Sequence, residues 1–455
     1  MPIATINPAT GLLVRAYDAH DDVYVDRALT VARAAADTWR HAGVVERSAL
    51  VGRVADALER DREQLAALAT LEMGKTVQSA RDEVTKCVFA CRYYAAHAAA
   101  MLAPEPLHIE GADAVLHFQP LGVLLAVMPW NFPFWQLVRA AAPAIVAGNV
   151  VVLKHASNVP QCALALEALF AGAGAPAGVF QTLLVGSARM GAIVEDPRVA
   201  AVTLTGSEAA GRDVASHAGR ALKKTVLELG GSDPFVVLAD ADLAAAAAHA
   251  VKSRMINNGQ SCIAAKRFIV VEPAAEEFER RVIEAVRALR VGDPMDAATD
   301  VGPLATRQIR DELASQVERS VAAGAYVAVG GGALDGAGFF YAPTVLTRVP
   351  LDAPALTEEL FGPVAPIVRV RDTAAALALA NATPFGLGAS VWTRSADLAE
   401  RAAHDIDAGM VFINSIVASD PRFPFGGIKA SGYGREVGLA GLREFVNIKT
   451  VRGTT

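Results

Sequence analysis

The sequence predicts an α/β protein with doubly wound parallel sheets. Short apolar strands alternate with helices from Val123 to Leu204, and a second alternating series begins at Asp233. This alternation is typical of parallel sheets covered by helices on both faces. Residues 21–100 are predicted to be helical, because apolar residues recur there at intervals of three and four. With 455 residues, the chain is long enough for two or three domains.

The first alternating series follows a loosely alternating strand at 108–116, which we expect at a sheet edge. Buried strands and helices are then predicted in turn, closing with a strand that enters a glycine-containing turn. The strands are placed at 123–127, 149–153, 179–185 and 201–204, and the helices at 134–147, 160–171 and 188–194.

The second series repeats the pattern with a long alanine-rich helix near its start. Its predicted strands are 235–238, 268–271, 343–346 and 364–370, and its helices are 240–256, 274–289 and 306–323. The closing segment, 445–451, has strand character and is expected to pair outside its own domain.

Composition and charge exclude several classes of protein. The net charge of -6 is spread along the chain without a basic face, which argues against a nucleic-acid partner. The most apolar window, 121–138, is interrupted by two prolines and an asparagine, so we expect no membrane span, and the N-terminus shows no signal peptide. Four cysteines do not form a disulfide framework, which favours a reducing, cytoplasmic location. Cys87 and Cys91 lack a second ligand pair and are expected to pack in a helix, so no metal site is predicted.

Two short stretches carry groups suited to acyl chemistry. Cys262 ends the polar run Asn257–Cys262, whose glycine and amides suit a thiolate nucleophile. Glu228 ends an apolar run directly before Gly230 and Gly231, and a carboxylate there can activate water. Taken alone, a small buried cysteine and a solvated glutamate explain the same residues.

Three further features lie where α/β proteins keep their sites, at the carboxyl ends of strands. They are the rigid loop Pro129–Pro133 around Asn131, Lys154 at the end of its strand, and the turn Thr205–Gly211. The start of a helix after such a turn can bind phosphate. Because the GxGxxG fingerprint is absent, an ordinary glycine-rich turn explains this stretch equally well.

Taken together, the motifs resemble the aldehyde dehydrogenase superfamily over nearly the whole chain. Seven pieces match in family order: Pro129–Pro133, Lys154, Thr205–Ser207, Glu228–Gly231, Gly259–Cys262, Glu359–Pro363 and Pro424–Gly427. Within the superfamily, the stretch 262–268 and the tail resemble bacterial succinate-semialdehyde dehydrogenases.

The resemblance implies the catalytic roles. Cys262 would attack the aldehyde carbon, and the side-chain amide of Asn131 with the backbone N–H of Cys262 would bind the oxyanion. Hydride transfer to a nicotinamide would leave a thioester, and Glu228 would activate the water that hydrolyses it. Outside this family context, Asn131 is an amide that caps its own loop.

The resemblance also implies a dinucleotide site. It places the cofactor against eight residues: Trp130, Lys154, Ser157, Gly186, Gly206, Ser207, Glu359 and Phe361. Ser157 stands where NAD-preferring relatives often carry a glutamate, and a hydroxyl accepts a 2'-phosphate that a carboxylate would repel. We therefore expect NADP, with NAD as a possible substitute. A surface lysine, a plain turn, a solvated glutamate and a core phenylalanine are the alternatives.

For the substrate, the resemblance implies an aldehyde with a distal carboxylate. Arg139 stands where semialdehyde-oxidising relatives place a carboxylate-binding arginine, but a second arginine of some relatives is replaced here by Ile256. Ser419 and Arg422 are candidates for the missing contacts. Salt bridges at the surface or between domains are the alternative for both arginines.

The architecture that the resemblance implies has three parts. The parts are a cofactor domain (1–106 and 127–228), a catalytic domain (229–417) and a small β arm (107–126 and 418–455) that joins subunits into dimers or tetramers.

The expected reaction is oxidation of succinic semialdehyde to succinate. Broader aliphatic specificity, transfer of the acyl group to CoA, and a non-catalytic protein on this scaffold remain alternatives. Glu228 speaks against the CoA reaction, which needs no water-activating base.

Overall fold

A computed structural model describes residues 3–109 and 112–453. The described chain starts with an antiparallel hairpin that the sequence analysis did not predict, and four helices follow it in the region predicted to be helical. The hairpin comprises β1 (Ile3–Asn7) and β2 (Leu12–Tyr17), and the helices are α1 (Asp22–Trp39), α2 (Val44–Arg60), α3 (Arg62–Met73) and α4 (Val77–Met101). Asp21 and Thr76 cap α1 and α4 by accepting backbone N–H bonds in the first turn.

The strand predicted at 108–116 falls on parts of two strands. They are β3 (Glu105–Ile109) and β4 (Ala112–Pro120), which pair antiparallel. The chain then enters the first large sheet, whose elements are β5 (Val123–Met128), α5 (Trp135–Ala147), β6 (Val150–His155), α6 (Pro160–Gly172), β7 (Phe180–Thr182), α7 (Met190–Glu195), β8 (Val199–Thr205), α8 (Glu208–Arg220) and β9 (Lys224–Glu228). Strands β5 to β9 are parallel to their neighbours, in the order β9-β8-β5-β6-β7.

The second large sheet is built by the second alternating series. Its elements are β10 (Pro234–Val237), α9 (Leu243–Met255), β11 (Arg267–Val271), α10 (Glu272–Arg287), α11 (Arg307–Ala322), β12 (Tyr326–Val329), β13 (Thr344–Thr347), α12 (Pro354–Thr357), β14 (Val364–Val370), α13 (Thr373–Asn381), β15 (Gly388–Trp392), α14 (Ala396–Asp405) and β16 (Met410–Ile413). The order is β12-β13-β14-β11-β10-β15-β16, and only β12 runs antiparallel to its neighbour.

The last three elements return the chain to parts built earlier. They are β17 (Gly432–Tyr433), α15 (Gly438–Glu444) and β18 (Val446–Arg452). Strand β17 pairs antiparallel with β9 at the edge of the first sheet, and β18 pairs with β4, so the predicted pairing of the closing segment outside its domain is confirmed.

Two predicted boundaries need correction. The arm was drawn as 107–126 and 418–455, but β5 belongs to the first large sheet and β17 extends that sheet at its edge. Only β3, β4 and β18 form the separate three-stranded sheet. The strand predicted at 179–185 ends at Thr182, because β7 is an edge strand and only Leu183 N–H continues the ladder, to Leu153 O at 2.7 Å. The apolar run after it is buried outside the sheet.

Candidate active site

Most predicted site residues follow neighbouring strands at one edge of the first sheet. The register aligns Met128 of β5 with His155 of β6, and Thr205 of β8 with Glu228 of β9. Strand order reverses between β5 and β8, since β6 and β7 lie on one side and β9 on the other. This switch point is where open α/β sheets bind ligands. The loop of Asn131, the turn at Gly206 and Ser207, and Glu228 therefore converge there.

The Cys262 loop is held by two asparagines with left-handed backbones. Asn257 and Asn258 have φ of 56° and 58°, directly after α9. The amide of Asn257 donates to Asn131 O at 2.7 Å and to Gln260 O at 3.0 Å. A Cβ on Gly259 would lie 2.3 Å from the carbonyl carbon of Gly362, so this position requires glycine. These contacts fix the cysteine loop against the Asn131 loop and the Glu359–Pro363 motif.

Cys262 borders both of the cavities that open at this edge. One, of about 330 Å³, is lined by Asn131, Gly206, Glu228 and Glu359. The other, of about 550 Å³, is lined by residues of α4, α5, α9 and the segment before β17. Burial beneath the surface raises the pKa of Cys262 to about 11, while the nearby charges of Arg139 and Lys266 act in the opposite direction. The thiol is therefore neutral at rest and faces both spaces.

Two hydrogen-bond donors beside the thiol are available to a ligand oxygen. Asn131 Nδ2 donates to Gln260 O at 3.2 Å, which uses one of the two N–H groups of its amide. The backbone N–H of Cys262 donates to no acceptor within residues 3–109 and 112–453. Such a pair is what an oxyanion hole requires.

The carboxylate of Glu228 is buried, and no hydrogen bond within the described chain replaces its lost contact with water. Neither of its oxygens has a hydrogen-bond partner in the described part of the chain. Burial raises its pKa well above the ordinary value; Arg139 opposes the rise and Glu436 adds to it. A Cβ on Gly426 would lie 2.7 Å from Glu228 Oε1, so the glycine keeps space beside the carboxylate. A carboxyl group with a raised pKa is suited to proton transfer near neutral pH.

The smaller cavity also collects five predicted cofactor contacts. Trp130 and Phe361 meet edge to face, with ring centroids 5.7 Å apart, and both line it with Gly206 and Ser207. Ser207 caps α8 by accepting from Ala210 N at 3.4 Å, so the start of that helix faces the cavity. Glu359, the fifth contact, accepts from Gly231 N at 3.1 Å.

The aldehyde dehydrogenase family matches residues 1–451. This chain belongs to that family. It is 54% identical over 454 residues to succinate-semialdehyde dehydrogenase 1, NADP(+), of Mycobacterium tuberculosis, with 99% of each chain covered. It is 53% identical over 455 residues to the NADP(+) succinate-semialdehyde dehydrogenase of Mycobacterium avium, covering 99% of this chain and 96% of the relative.

A solved structure confirms the predicted aldehyde dehydrogenase fold. The succinic semialdehyde dehydrogenase of Streptococcus pyogenes, crystallised with NADP+, is 38% identical and superposes with a TM-score of 0.97 over 99% of each chain.

The three remaining predicted cofactor contacts of this aldehyde dehydrogenase lie beyond the smaller cavity. Lys154 is the second-last residue of β6, and Ser157 lies in the turn that follows. Burial lowers the pKa of Lys154, and neither side chain lines the two cavities. Gly186 follows β7, and a Cβ there would meet no atom within 4 Å in the described part of the chain. These residues thus lie at or beyond the ends of β6 and β7, on the side of β5 away from Glu228.

The three predicted substrate contacts of the enzyme differ in their positions and in their partners. Ser419 lines the larger cavity. Arg139 lines it too, but its guanidinium forms a buried ion pair with Glu436 and donates to Thr205 Oγ1 at 3.1 Å. Arg422 is not among the lining residues; it binds Asp420 through two bonds of 2.8 and 2.6 Å. The ion pair that the sequence also allowed for Arg422 is formed with Asp420, two residues away, and its predicted substrate contact stays a prediction.

Four residues that sequence reasoning missed support the site. Lys266 donates to Cys262 O at 2.7 Å and pairs with Glu359 Oε1 at 3.2 Å. Glu83 accepts from the N–H groups of Phe134 and Trp135, at 2.8 and 2.9 Å, and so caps α5 from another helix. Asn257 and Glu436 are the other two. Only the run of amides before Cys262 was visible in the sequence; the rest depends on contacts between distant segments.

Two findings concern membrane spans and metal sites among the residues that the structure describes. There, no helix is long and apolar enough to cross a membrane, and no group of acidic, histidine or cysteine side chains is arranged to hold a metal. Cys87 and Cys91 pack inside α4, as predicted, and burial raises the pKa of both thiols.

Proposed function

We propose that this enzyme oxidises succinic semialdehyde to succinate with NADP, through a thioester on Cys262. The observation that carries this proposal is the position of Cys262 between two cavities, beside the free donors of the Asn131 loop and the uncompensated carboxylate of Glu228. One cavity suits a nicotinamide cofactor, and the other suits the aldehyde.

The first step is attack by sulfur on the aldehyde carbon. The S–C bond forms as the carbonyl π electrons move to oxygen, and the thiol proton passes to Glu228. Asn131 Nδ2 and the backbone N–H of Cys262 bind the oxyanion; losing one such donor typically costs about 10²- to 10³-fold in rate. Because the pKa of Glu228 is raised, its carboxylate is a stronger base than an ordinary glutamate once its own proton has left to solvent.

The second half of the cycle restores the sulfur. A nicotinamide cofactor held by the residues of the smaller cavity would supply the hydride acceptor, and loss of hydride from the tetrahedral carbon would leave the acyl group on Cys262 as a thioester. After its first proton has left to solvent, Glu228 removes a proton from water, the water oxygen attacks the thioester, and the C–S bond breaks. The products are succinate and a free Cys262.

The chain's residues fit NADP. Glu359 is held by Gly231 and Lys266 so that its carboxylate borders the smaller cavity, where it can accept bonds from a ribose. Ser207, at the start of α8, stands where a helix N-terminus stabilises a diphosphate. Two groups at the end of β6 are available to a 2'-phosphate. Lys154 offers an ammonium from the strand itself, and Ser157 offers a hydroxyl from the turn after it. The relatives from Mycobacterium, whose names specify NADP(+), support this choice.

Cofactor reduction by the purified protein tests the proposal. We expect NADPH to form with succinic semialdehyde faster than with butanal or benzaldehyde, and faster than NADH forms. Cys262→Ala should abolish turnover, and Glu228→Gln, which removes the group assigned to both proton transfers, should slow thioester formation as well as thioester hydrolysis. Preference for uncharged aldehydes would refute the substrate. Acyl-CoA as product when CoA is present would favour the acylating reaction, and no turnover with any aldehyde would favour a binding protein.

We further propose a cytoplasmic homodimer or homotetramer assembled through the sheet of β3, β4 and β18. Strand β18 occupies one edge of this small sheet, its side chains after Val446 are exposed, and Ile448 and Val451 are among them. Light scattering of the full chain and of an Ile448→Lys variant tests the assembly, since a charge in a buried interface should favour monomers. A wild-type monomer would refute it.

A further inference from the structure

Three cations line the larger cavity, and their surroundings differ. Arg139 is already paired with Glu436, which balances its charge. Lys252 is exposed, so water screens it. Lys86 is half-buried on α4 and has no carboxylate at ion-pair distance among residues 3–109 and 112–453. Of the three, Lys86 alone combines burial with an unbalanced charge.

The ammonium of Lys86 has capacity left for a ligand. It lies 4.4 Å from the centre of the Trp135 ring and donates to Ser419 Oγ at 2.6 Å. An ammonium has three N–H donors, and within the described chain Ser419 is the one acceptor that Lys86 has.

The hydroxyl group of Ser419 also has a hydrogen-bond donor that a ligand can use. Its oxygen accepts from Lys86 Nζ and, at 3.1 Å, from Trp135 Nε1. Both partners can only donate, so both lone pairs of the oxygen are used. The hydroxyl hydrogen has no acceptor among the residues described, although Ser419 is a buried residue on the cavity wall. Lys86 and Ser419 therefore present N–H and O–H donors side by side, which a carboxylate with its two oxygens complements.

We propose that Lys86 and Ser419 bind the distal carboxylate of the aldehyde substrate, which makes Lys86 a specificity-determining residue of this enzyme. The inference rests on the proposed function, since it names the group that recognises a semialdehyde. Phe132, Ile263 and Phe425 also line the cavity and offer apolar surface to the methylene groups.

The charge of Lys86 gives the recognition a pH dependence. Burial and, to a smaller extent, Arg139 on α5 lower its pKa to about 8, although Cys87 and Glu83 on α4 and Asp420 beside Ser419 act in the opposite direction. Below this pKa Lys86 is charged, and above it the ammonium loses its proton. The preference for the semialdehyde over an uncharged aldehyde should therefore fall as the pH rises through about 8.

The test is the ratio of kcat/KM for succinic semialdehyde to kcat/KM for butanal. Butanal has the same carbon chain without the carboxylate, so the ratio cancels effects on the shared chemistry. Lys86→Gln should lower the ratio by about 10- to 100-fold, the range for a lost hydrogen bond to a charged group. Lys86→Arg keeps the charge and should retain most of the ratio. Lys252→Gln is the matched control, with less than about 5-fold change expected of an exposed cation.

The outcomes separate this inference from the proposed function. A wild-type ratio near one means that the enzyme does not recognise a carboxylate, and both ideas fail. A high wild-type ratio that Lys86→Gln leaves intact overturns the assignment of Lys86 alone, and a fall in Lys252→Gln instead would move the subsite to the cavity mouth. If Lys86→Gln does not fold, Ser419→Ala carries the test, with a fall of about 10- to 100-fold expected from one lost hydrogen bond to a charged carboxylate.

Discussion

Asn257 connects the two loops that carry the catalytic groups, and its removal should damage both stability and rate. Its amide reaches Asn131 O at 2.7 Å and Gln260 O at 3.0 Å, while its backbone holds φ at 56°. Two substitutions separate these contributions. Asn257→Gly removes the side-chain bonds but tolerates the left-handed backbone, whereas Asn257→Ala removes the bonds and adds strain.

The structure sets the size of each effect. Asn131 O loses the partner that the structure shows for it, at about 1–3 kcal/mol for a buried carbonyl left unpaired. Gln260 O keeps its bond from Asn131 Nδ2, so that loss is about 1 kcal/mol. Asn257→Gly should therefore lower the free energy of unfolding by about 2–4 kcal/mol. Asn257→Ala should lower it by a further 1–2 kcal/mol or so, the cost of a left-handed residue with a Cβ.

The assays are urea denaturation and kcat with the preferred aldehyde. Because a misplacement of about 1 Å near the chemistry can cost 10²-fold, we expect kcat to fall by about 10- to 100-fold in both variants. Asn258→Ala is the control: its φ is 58°, but its amide donates to Gly74 O and Pro303 O, so it should lose stability with a smaller loss of kcat. Equal stability of Asn257→Gly and Asn257→Ala would refute the strain argument. An unchanged kcat in both would refute the link to the oxyanion donors.

Three further predictions concern buried charges. The raised pKa of Glu228 means that the folded state binds its proton more tightly than the unfolded state, so wild-type stability should fall as pH rises above the ordinary glutamate pKa. Glu228→Gln lacks this loss, and its advantage in urea denaturation should widen between about pH 5 and 8; a constant difference would mean that Glu228 is already ionised. In the cofactor-free protein, alkylation of Cys262 by iodoacetamide should keep accelerating toward about pH 11, and a plateau near the pKa of a free thiol would contradict the structure. Glu83→Gln should destabilise the fold by about 3–5 kcal/mol, because it leaves the buried Lys75 without its counter-charge. It should also lower kcat, because the start of α5 next to the Asn131 loop becomes looser. The double variant Lys75→Met with Glu83→Gln should recover stability but not kcat.

Periodicity and motif order were enough to predict the two sheets and the nucleophile loop. Strands such as β6 are continuous apolar runs because both faces of a parallel sheet are covered, and such runs are visible in sequence. The hairpin β1–β2 was missed because β2 is largely exposed and carries no apolar alternation. The segment from α13 to β16 received no prediction, although it completes the second sheet.

Contacts between distant segments limited the prediction of the site. No local pattern shows that Glu83 caps α5 from α4, or that Glu436 neutralises Arg139. The prediction that Arg139 binds a substrate carboxylate followed from its position in the sequence, whereas the residue that balances its charge, Glu436, lies almost three hundred residues later. Lys86 was overlooked because a lysine on a helix is ordinarily a solvated residue.

Several of the buried polar groups left without a partner in the described chain belong to residues that the proposed chemistry uses. Among the residues described, both Glu228 oxygens and Asn131 Oδ1 are buried without partners, and the N–H of Cys262 donates to nothing. Each such group costs about 1–3 kcal/mol, which a stable core would avoid. Filling the lone pairs of Glu228 would leave no acceptor for the proton of water, and pairing Cys262 N–H would remove a donor from the oxyanion. The rigid sheets and the left-handed asparagine loop hold these groups unpaired, so the local instability of the site follows from its function.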